Sequence, residues 1–473
     1  MPDSQPLDIR TRIAKSLIAD FGKSTTQFKT LNSRYMVSAD LVLNYISQYI
    51  SLFDNKDELR NAPKLLLHHL HLVDTLALPP GFYPSIEIEH CSFIGGLHLG
   101  DATVYGAFTV SNNANTAPGD FSATFINLSI ESQFHITNYI GKAISFHACK
   151  LQDLIVESSV QKLRIDRKSR ISGNCYLQAC PDVGIGEVEF SGGFTYMPTG
   201  TGDEVEIMDC MYSGEAIFAR NGHPIRFLSI HDTEFHKGLR FASPVNEEAD
   251  FSRVKFFFQA DFQNTEFHAK TSFDGCEFHC APEFFGATLF PDTAFQKAKF
   301  LAFDGESQYA AYRELRHLSH DMLKSAQDES RFFAYEQRAL ANVQVKTKGK
   351  RLEGYLSKLY GLASDYGQSI IRPFFGLIGI NAPFGVSYAA IPSATIVAEA
   401  ATQVGAWHTR IPESVGLMLQ NLFQPFAILG KTATYLPSCW QVALLSGLQT
   451  VLSLALFALF ILAIRRRFRK GSE

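Results

Sequence analysis

The chain has 473 residues, a length that suits two to four domains. Its eight cysteines lack the spacing of a disulfide framework and its first residues lack a signal-peptide apolar segment, so we expect reduced thiols and exclude a disulfide-rich secreted scaffold. The formal net charge of −4 is unevenly distributed, since the charged residues sum to +1 over 1–80, −11 over 81–300 and +6 over 301–473.

The segment 1–80 is predicted to form a helical N-terminal cap. Apolar residues recur there at helical spacing in two places, and Ser38 stands as an N-cap before the second. The residues concerned are Ile13, Leu17, Ile18 and Phe21, and then Leu41, Leu43, Ile46, Ile50 and Leu52. The LPPG sequence at 78–81 is expected to end this part of the chain. Covering an open end of the next domain is the simplest role for such helices.

Between 249 and 300, large apolar residues recur after five residues and then after six. They form two series with a period of eleven, and the residue two positions before each member is mostly small. The first series is Phe251, Phe262, Phe273, Phe284 and Phe295, and the second is Phe256, Phe267, Phe278, Leu289 and Phe300. Ten positions in register are a structural repeat, here called the ladder.

Neither a long helix nor a flat strand accommodates the ladder. At about 100° per residue, the offset of five places the two series on separate helix faces, and the run also contains Gly275, Pro282, Gly286 and Pro291. Because eleven is odd, residues one repeat apart would point to opposite faces of a flat strand. A β-solenoid that turns a corner every five or six residues sends each large residue inward, onto the coil below.

The sequences ADFSRV, ADFQNT and TSFDGC in this run resemble the pentapeptide-repeat proteins, whose unit is A(D/N)LXX with Leu or Phe at its centre. The resemblance implies a right-handed, four-sided β-solenoid and covers 249–300. Upstream, 86–99, 143–156 and 171–180 share short apolar pieces without a fixed period. We therefore expect a mainly β protein with one solenoid over 85–303, regular at its C-terminal end and flanked by helical segments.

The residues that follow are predicted to be helical and then to approach a membrane. Residues 304–345 show helical spacing, and a basic linker, KTKGKR, occupies 346–351. One apolar face is marked by Tyr309, Tyr312, Leu315 and Leu318, and Phe332, Phe333 and Tyr335 mark another piece. In 352–372, three tyrosines accompany Lys358, a pattern typical of a helix that lies at the membrane interface.

Two segments have the length and composition of membrane spans. Residues 373–398 contain no charge, and 442–464 are almost wholly apolar. We expect a two-helix transmembrane hairpin over 373–464 and a basic tail over 465–473. Orientation is predicted from the tail residues Arg465, Arg466, Arg467, Arg469 and Lys470, which place both termini in the cytoplasm of an inner membrane protein of bacterial type. The YGQSIIRP sequence and the RRRFR ending resemble the membrane-attached branch of the pentapeptide-repeat proteins, over about 306–470.

Polar residues in this region admit two interpretations. The uncharged segment 414–430 is short for a span and suits a re-entrant or interfacial helix; its Gln420, Asn421 and Gln424 are the groups that a simple pore would need. It contains no TVGYG-like filter. Asn381, Gln441 and Gln449 lie in or near the predicted spans. Such residues are often functional, but hydrogen bonding between helices is the commoner reason for them.

No catalytic, cofactor or metal site is predicted. CEFHC at 276–280 offers Cys276, His279 and Cys280, but Cys276 occupies a small inward position of the ladder and needs no metal to explain it. We find no nucleophile motif, so an enzyme is disfavoured unless its residues are dispersed along the solenoid.

The sequence predicts a membrane-anchored cytoplasmic scaffold whose acidic solenoid binds a protein partner, for which a basic surface would be complementary. The bilayer is a second partner, and the transmembrane hairpin offers a contact for homo-oligomers. One alternative is a subunit of a simple ion pore formed by the two spans and 414–430. Another is a nucleic-acid mimic that binds topoisomerases, as some pentapeptide-repeat proteins do. A charge of −11 over 81–300 is modest for mimicry, and no nucleic-acid partner is expected.

Overall fold

A computed structural model describes residues 30–31, 34–53, 55–68, 70–72, 74–93, 95–111, 122–178, 180–200, 202–391, 395–397, 411–423 and 435–469. The predicted helical positions at Ile13 to Phe21 lie outside these residues. The chain divides into two compact units. The solenoid unit comprises 1–302 with 321–324, and the helical unit comprises 303–320 with 325–473.

Most strands of the solenoid unit belong to one large sheet. Its early strands are β3 (Leu65–His68), β5 (Leu76–Leu78), β6 (Gly81–Tyr83), β7 (Ile86–Glu89), β9 (Leu97–Gly100), β10 (Ala102–Val104), β11 (Phe108–Ser111), β12 (Ser122–Ile126), β13 (Ser129–His147), β14 (Lys150–Asp166), β15 (Arg170–Ile171), β16 (Cys175–Gln178) and β17 (Asp182–Gly186). Its later strands are β18 (Glu189–Phe190), β19 (Phe194–Met197), β20 (Asp203–Met208), β21 (Met211–Tyr212), β22 (Ala216–Phe218), β23 (Ile225–His231), β24 (Glu234–Phe235), β25 (Leu239–Phe241), β26 (Ala249–Ser252), β27 (Lys255–Phe256), β28 (Ala260–Asp261), β29 (Thr271–Ser272), β30 (Glu277–Phe278) and β31 (Lys299–Phe300).

These strands pair in parallel with the equivalent strand of the next coil, which builds a β-solenoid of about ten turns. The predicted solenoid architecture is therefore confirmed. One register column can be followed through Leu65, Ile86, Phe108, Phe134, Leu154, Cys175, Phe194, Ala216, Leu239 and Ala260. The sequence interval between successive members differs from one coil to the next, and this variation explains why the upstream sequence shows no fixed period.

The ten ladder residues are all buried. Rings two repeats apart stack on one another, because one complete coil spans two repeats: the ring of Phe273 lies 5.0 Å from those of both Phe251 and Phe295. The longest column continues upstream of the regular repeat. Its six rings, separated by 4.6–5.5 Å, are Phe190, Tyr212, Phe235, Phe256, Phe278 and Phe300.

One corner of the coil is built from residues in the left-handed backbone conformation. The residues of this column are Asp101, Asn127, Ala148, Arg167, Glu187, Asp209, Asp232, Arg253, Gly275 and Lys297. They recur about once per coil, with φ between 50° and 68°. Only Gly275 adopts this conformation without steric cost, so the cross-coil backbone bonds must stabilise the others. Arg253 N, for example, donates to Asp274 O at 2.9 Å.

Small polar side chains that point inward bond to the coil below. The Cys210 thiol donates to the carbonyl of Ile185, Ser243 to Ala219 and Thr265 to Phe241. Cys276, in the small inward position that the ladder gave it, donates to Phe251 in the same way. These contacts satisfy the buried groups locally, and burial raises the pKa of the Cys276 and Cys210 thiols to about 12.

We expect thiol labelling to follow this burial. Cys280 and Cys439 are half-buried, whereas the six buried cysteines are Cys91, Cys149, Cys175, Cys180, Cys210 and Cys276. Alkylation of the folded protein should be confined to Cys280 and Cys439, even when the pH is raised from about 7 to about 9, because burial disfavours the reactive thiolate. Peptide mapping by mass spectrometry reads out each site, and urea-denatured protein should label at all eight. Modification of Cys276 in the folded chain would contradict its inward position.

Among the described residues, two helices precede the solenoid in the chain. α1 (Ala39–Ile50) begins at Ser38, whose side chain accepts a bond from Leu41 N as the sequence predicts, and α2 (Lys56–Arg60) follows. α1 buries Val42, Tyr45, Ile46 and Tyr49. Four strands form a separate small sheet: β1 (Thr30–Leu31), β2 (Arg34–Val37), β4 (Leu70–Leu72) and β8 (Ser92–Phe93). The large sheet begins at Leu65, well before the expected boundary of 85, so 65–83 belongs to the first coils and not to a helical cap.

The described helices of the other unit are α3 (Glu306–Asp321), α4 (Ala326–Lys346), α5 (Arg351–Ser364), α6 (Ile371–Ala390), α7 (Ile411–Phe423) and α8 (Trp440–Arg469). A short antiparallel pair joins β32 (Thr395–Val397) to β33 (Tyr435–Pro437). Over the described residues one helix, Trp440–Arg465, is long and apolar enough to cross a membrane. The sequence predicts two such helices; α6 is 20 residues long but contains Pro383 and Asn381.

The turn between α5 and α6 has a defined backbone conformation and is here called the Asp365–Gly367 joint. Asp365, Tyr366 and Gly367 all have left-handed backbones, with φ of 53°, 54° and 81°. The Asp365 carboxylate pairs with Arg338 of α4, and the Gln368 amide donates to the Ser330 hydroxyl at 2.7 Å. Both contacts hold the start of α6 against α4.

Candidate functional site

Six polar side chains are buried together where α6, α7 and α8 pack. This polar cluster consists of Asn381, Tyr388, Asn421, Ser446, Gln449 and Ser453, each at most 3 % exposed. Ser446, Gln449 and Ser453 fall at positions i, i+3 and i+7, so the geometry of α8 brings them onto one face of that apolar helix. Asn381 and Tyr388 stand two helical turns apart on α6 and face the same way.

Gln449 stands at the centre of the polar cluster. Its amide nitrogen donates to Asn381 Oδ1 at 2.5 Å and to the Met418 carbonyl at 3.1 Å. Its carbonyl oxygen accepts from the Tyr388 hydroxyl at 2.8 Å and from the Asn421 amide at 2.9 Å. Through this one side chain, α8 is bonded to both α6 and α7.

The remaining members of the cluster bond to one another or to the backbone. The Asn381 amide donates to Ser453 Oγ at 3.1 Å and to the Leu377 carbonyl at 2.7 Å. The Asn421 amide donates to Ser446 Oγ at 2.7 Å. These mutual bonds fix the register of the helices, which matches the interpretation of Asn381 and Gln449 as interhelical contacts. Gln441, the third residue of that prediction, is exposed at the start of α8.

The residues predicted to line a pore are used differently. Asn421 belongs to the polar cluster, and Gln420 pairs with the backbone of Tyr435, donating to its carbonyl and accepting from its N–H, both at 2.9 Å. Gln424 lies outside the described residues. The side chains of Gln420 and Asn421 thus form hydrogen bonds within the protein. Sequence spacing alone could not show this, because it places residues on a helix face without identifying the partner of that face.

One apolar groove lies between α6 and α7, and an adjoining groove lies among α6, α7 and α8. The first, of about 520 Å³, is lined by small residues that include Gly385, Ala389 and Ser414. The second, of about 410 Å³, is lined by aromatic residues that include Phe374, Phe457 and Phe460. Ala382 and Met418 border both grooves. Their walls are almost wholly apolar, which suits hydrocarbon chains better than ions or polar metabolites.

The outer surface of the solenoid carries ion pairs between successive coils. Arg253 pairs with Asp232 at 2.6 Å and Lys255 with Glu234 at 2.8 Å. Hydrogen bonding to Arg253 lowers the pKa of the Asp232 carboxyl. Because both pairs are exposed, each contributes little to stability, but together they neutralise part of the negative charge of this unit.

A notch of about 350 Å³ interrupts this surface at β17. Gly186 leaves a side-chain position open there, since nothing lies within 4 Å of a Cβ built on it, whereas the Arg164 side chain lies across Gly184. Charged residues surround the opening: Arg164, Asp166, Arg167, Glu187, Glu206 and Asp209. We call it the solenoid notch. The sequence signal, GIG within a strand, is a weak one.

The residues predicted to set membrane orientation lie at the C-terminal end of α8. Arg465 is exposed, Arg466, Arg467 and Arg469 continue the helix, and Lys470 is outside the described residues. Within the described part of the chain, no group of three or more His, Cys, Asp or Glu is placed to hold a metal ion.

Comparisons with protein-family models, with curated proteins and with solved structures found no match to this chain.

Proposed function

We propose that the protein is a membrane-anchored β-solenoid scaffold that binds a protein partner at the cytoplasmic face of an inner membrane. One observation carries the proposal. Of the exposed large hydrophobic side chains among the described residues, all but five lie between Leu352 and Leu462. A water-soluble unit rarely exposes so much contiguous apolar surface, whereas a membrane-embedded one requires it.

The proposal includes a second span and cytoplasmic termini. α6 packs against α8 in the opposite direction: Phe374 lies 6.1 Å from Phe460, while Tyr388 bonds to Gln449. This places Arg372 and Arg465 at the same end of the pair, as a hairpin with a basic cytoplasmic side requires. Asn381 reduces the hydropathy of α6, and the polar cluster satisfies its amide within the protein.

The scaffold role rests on the solenoid. Its core is filled by stacked aromatic side chains, and this rigid interior supports an extended charged exterior. We take the solenoid notch as the contact site for a protein partner, and we assign the chain to the pentapeptide-repeat proteins on its ladder motifs.

Photocrosslinking from Glu206, compared with crosslinking from Lys297 elsewhere on the solenoid, tests whether the solenoid notch is the contact site. A specific product from Glu206 that Gly186→Leu removes supports the assignment; identical products from both positions contradict it.

The internal bonds of Asn421 and Gln420 favour an anchor over a pore. A topoisomerase-binding mimic would present a continuous acidic surface to its target. The ion pairs between coils and the basic residues at 162–170 interrupt that surface.

We expect topology reporters to show two spans. A reporter that is active only outside the cytoplasm should be active after Trp407 and inactive after Glu473, because basic residues lie at the start of α6 and at the end of α8, which is the same end of the pair. Carbonate washing should leave the full chain in the membrane fraction, and a chain that ends at Ser438 should be extracted more readily. Activity of the reporter after Glu473 would overturn the cytoplasmic position of the solenoid.

A further inference from the structure

Helix α5 (Arg351–Ser364) turns its small residues toward the protein, with Gly354 and Ser364 buried and Ser357 and Gly361 half-buried, and exposes most of its large ones. Gly354, Ser357, Gly361 and Ser364 recur at intervals of three or four and face the protein. A Cβ built on Gly354 would lie 2.7 Å from Val345 N and 3.0 Å from the Ala341 carbonyl, so α5 and α4 are in close backbone contact. This is the reverse of the arrangement in a helix on the surface of a soluble protein.

The opposite face of α5 is an apolar stripe. Its members are Leu352, Tyr355, Leu356, Leu359 and Leu362, each more than half exposed. Their spacing of three, one, three and three residues keeps them within about a third of the helix circumference. We call this face the α5 stripe. More than half of each of these side chains lies outside the packing among the described residues, so burial within the chain does not account for their size.

Positive charge flanks the α5 stripe. Lys348, Lys350, Arg351 and Lys358 are all exposed. No ion pair joins any of these four to another residue in the described part of the chain, although neighbouring Lys346 pairs with Asp304. Glu353 is the one acidic residue within α5. The surface that covers the stripe should therefore be apolar at its centre and negatively charged at its edge.

The α5 stripe is continuous with the surface that the membrane would cover. α5 contacts both α6 and α8, and α8 is the helix long enough to span. The Asp365–Gly367 joint fixes the direction in which α6 leaves α5. We propose that α5 lies flat on the membrane surface, with its stripe at the headgroup boundary and its basic residues on anionic lipid headgroups.

This inference rests on the proposed membrane anchor and adds a lipid preference to it. The test uses the full chain in vesicles, with Trp407→Phe and Trp440→Phe to remove the native tryptophans. Leu359→Trp then reports on the stripe, and Glu353→Trp reports on an exposed position of α5 outside the stripe. Lipids brominated near the headgroup quench a tryptophan at the boundary, and vesicles are compared with and without phosphatidylglycerol.

We expect quenching of the Leu359→Trp variant to exceed that of Glu353→Trp and to increase with phosphatidylglycerol. Lys350→Gln, Arg351→Gln and Lys358→Gln together should remove the increase, since each basic residue is worth about a fivefold preference near an anionic surface. A Leu352→Glu/Leu356→Glu variant should abolish quenching at position 359 while the protein still floats with the vesicles.

Three outcomes would overturn the inference. The first is no quenching at position 359 in protein that floats, which would detach α5 from the lipid. The second is quenching that is equal in neutral and anionic vesicles, which would remove the headgroup contact. The third is crosslinking between copies through Leu359→Cys, which would make a second copy the cover of the stripe. Protein that fails to float would instead refute the membrane anchor itself, so the two failures are distinguishable.

Discussion

Replacing Phe273 by alanine should lower the free energy of unfolding by about 3–5 kcal/mol, because a cavity opens in a stack that neighbouring coils keep from collapsing. Phe273 has the centres of the rings of Phe251 and Phe295 at 5.0 Å on either side, and Phe262 and Phe284 approach its edge at 5.5 Å and 5.7 Å. Its side chain is fully buried. Removing the ring would take away one contact from each of these four aromatic neighbours. The loss of stability should be among the largest of any single substitution in this unit.

Phe258 provides the matched control. It is the same residue type in the same repeat, but its side chain is 60 % exposed. Phe258→Ala should therefore change stability by less than about 0.5 kcal/mol. Thermal or urea unfolding of the full chain, followed by the β-sheet signal in circular dichroism, measures both variants. Equal losses at positions 273 and 258 would contradict the stacked interior.

The regular part of the solenoid was predictable because its coil length is constant. From Phe251 to Phe300 stacked rings lie two ladder repeats apart, as Phe251 and Phe273 do, so equivalent residues recur at a fixed interval. Between Phe108 and Phe194 the coil length changes: the coil from Phe108 to Phe134 is longer than the coil from Cys175 to Phe194. A search for a repeat of constant length fails there, although the same parallel pairing of strands continues.

The first coils of the solenoid could not be recognised from their amino-acid composition. The sequence LLLHHLHL at 65–72 has no alternation to mark a strand, yet Leu65 and Leu67 point inward and pair with Ile86 and Ile88. These residues are extended because they pair with the neighbouring coil. Pairing between strands of successive coils leaves no pattern in the local sequence. Tertiary pairing therefore decides what local propensity leaves ambiguous.

The candidate site was predictable residue by residue but not as a cluster. Asn381 and Gln449 stand out in the sequence because polar groups are rare in apolar helices, whereas the position of Asn421 in a short apolar segment makes it only a candidate for the alternative pore. The deciding information is that Asn421 and Gln449 come within 2.9 Å of each other across two helices. Likewise, the α5 stripe requires knowing that Gly354 packs on α4. Neither contact can be recognised from the spacing of residues within a single helix.

Replacing Gln449 by leucine should destabilise the helical unit by about 2–4 kcal/mol. Gln449 makes four hydrogen bonds, to Asn381, Met418, Tyr388 and Asn421, and such bonds average about 0.6 kcal/mol within a membrane protein with a maximum near 1.7. Leucine has a similar volume, so the loss reports the bonds and the partners left unpaired rather than a cavity. Gln441→Leu is the control, because it makes the same exchange at an exposed position on the same helix.

The same variants distinguish an anchor from a pore. Purified protein is unfolded with sodium dodecyl sulfate to obtain stability, and ion flux is measured in vesicles that contain the same protein. An anchor whose polar cluster joins helices should show lower stability for Gln449→Leu, unchanged stability for Gln441→Leu, and no flux from either variant or the parent chain. Flux in the parent chain that disappears in Gln449→Leu at unchanged stability would make the polar cluster an ion path, because its amides would then be replacing ion hydration rather than holding three helices in register.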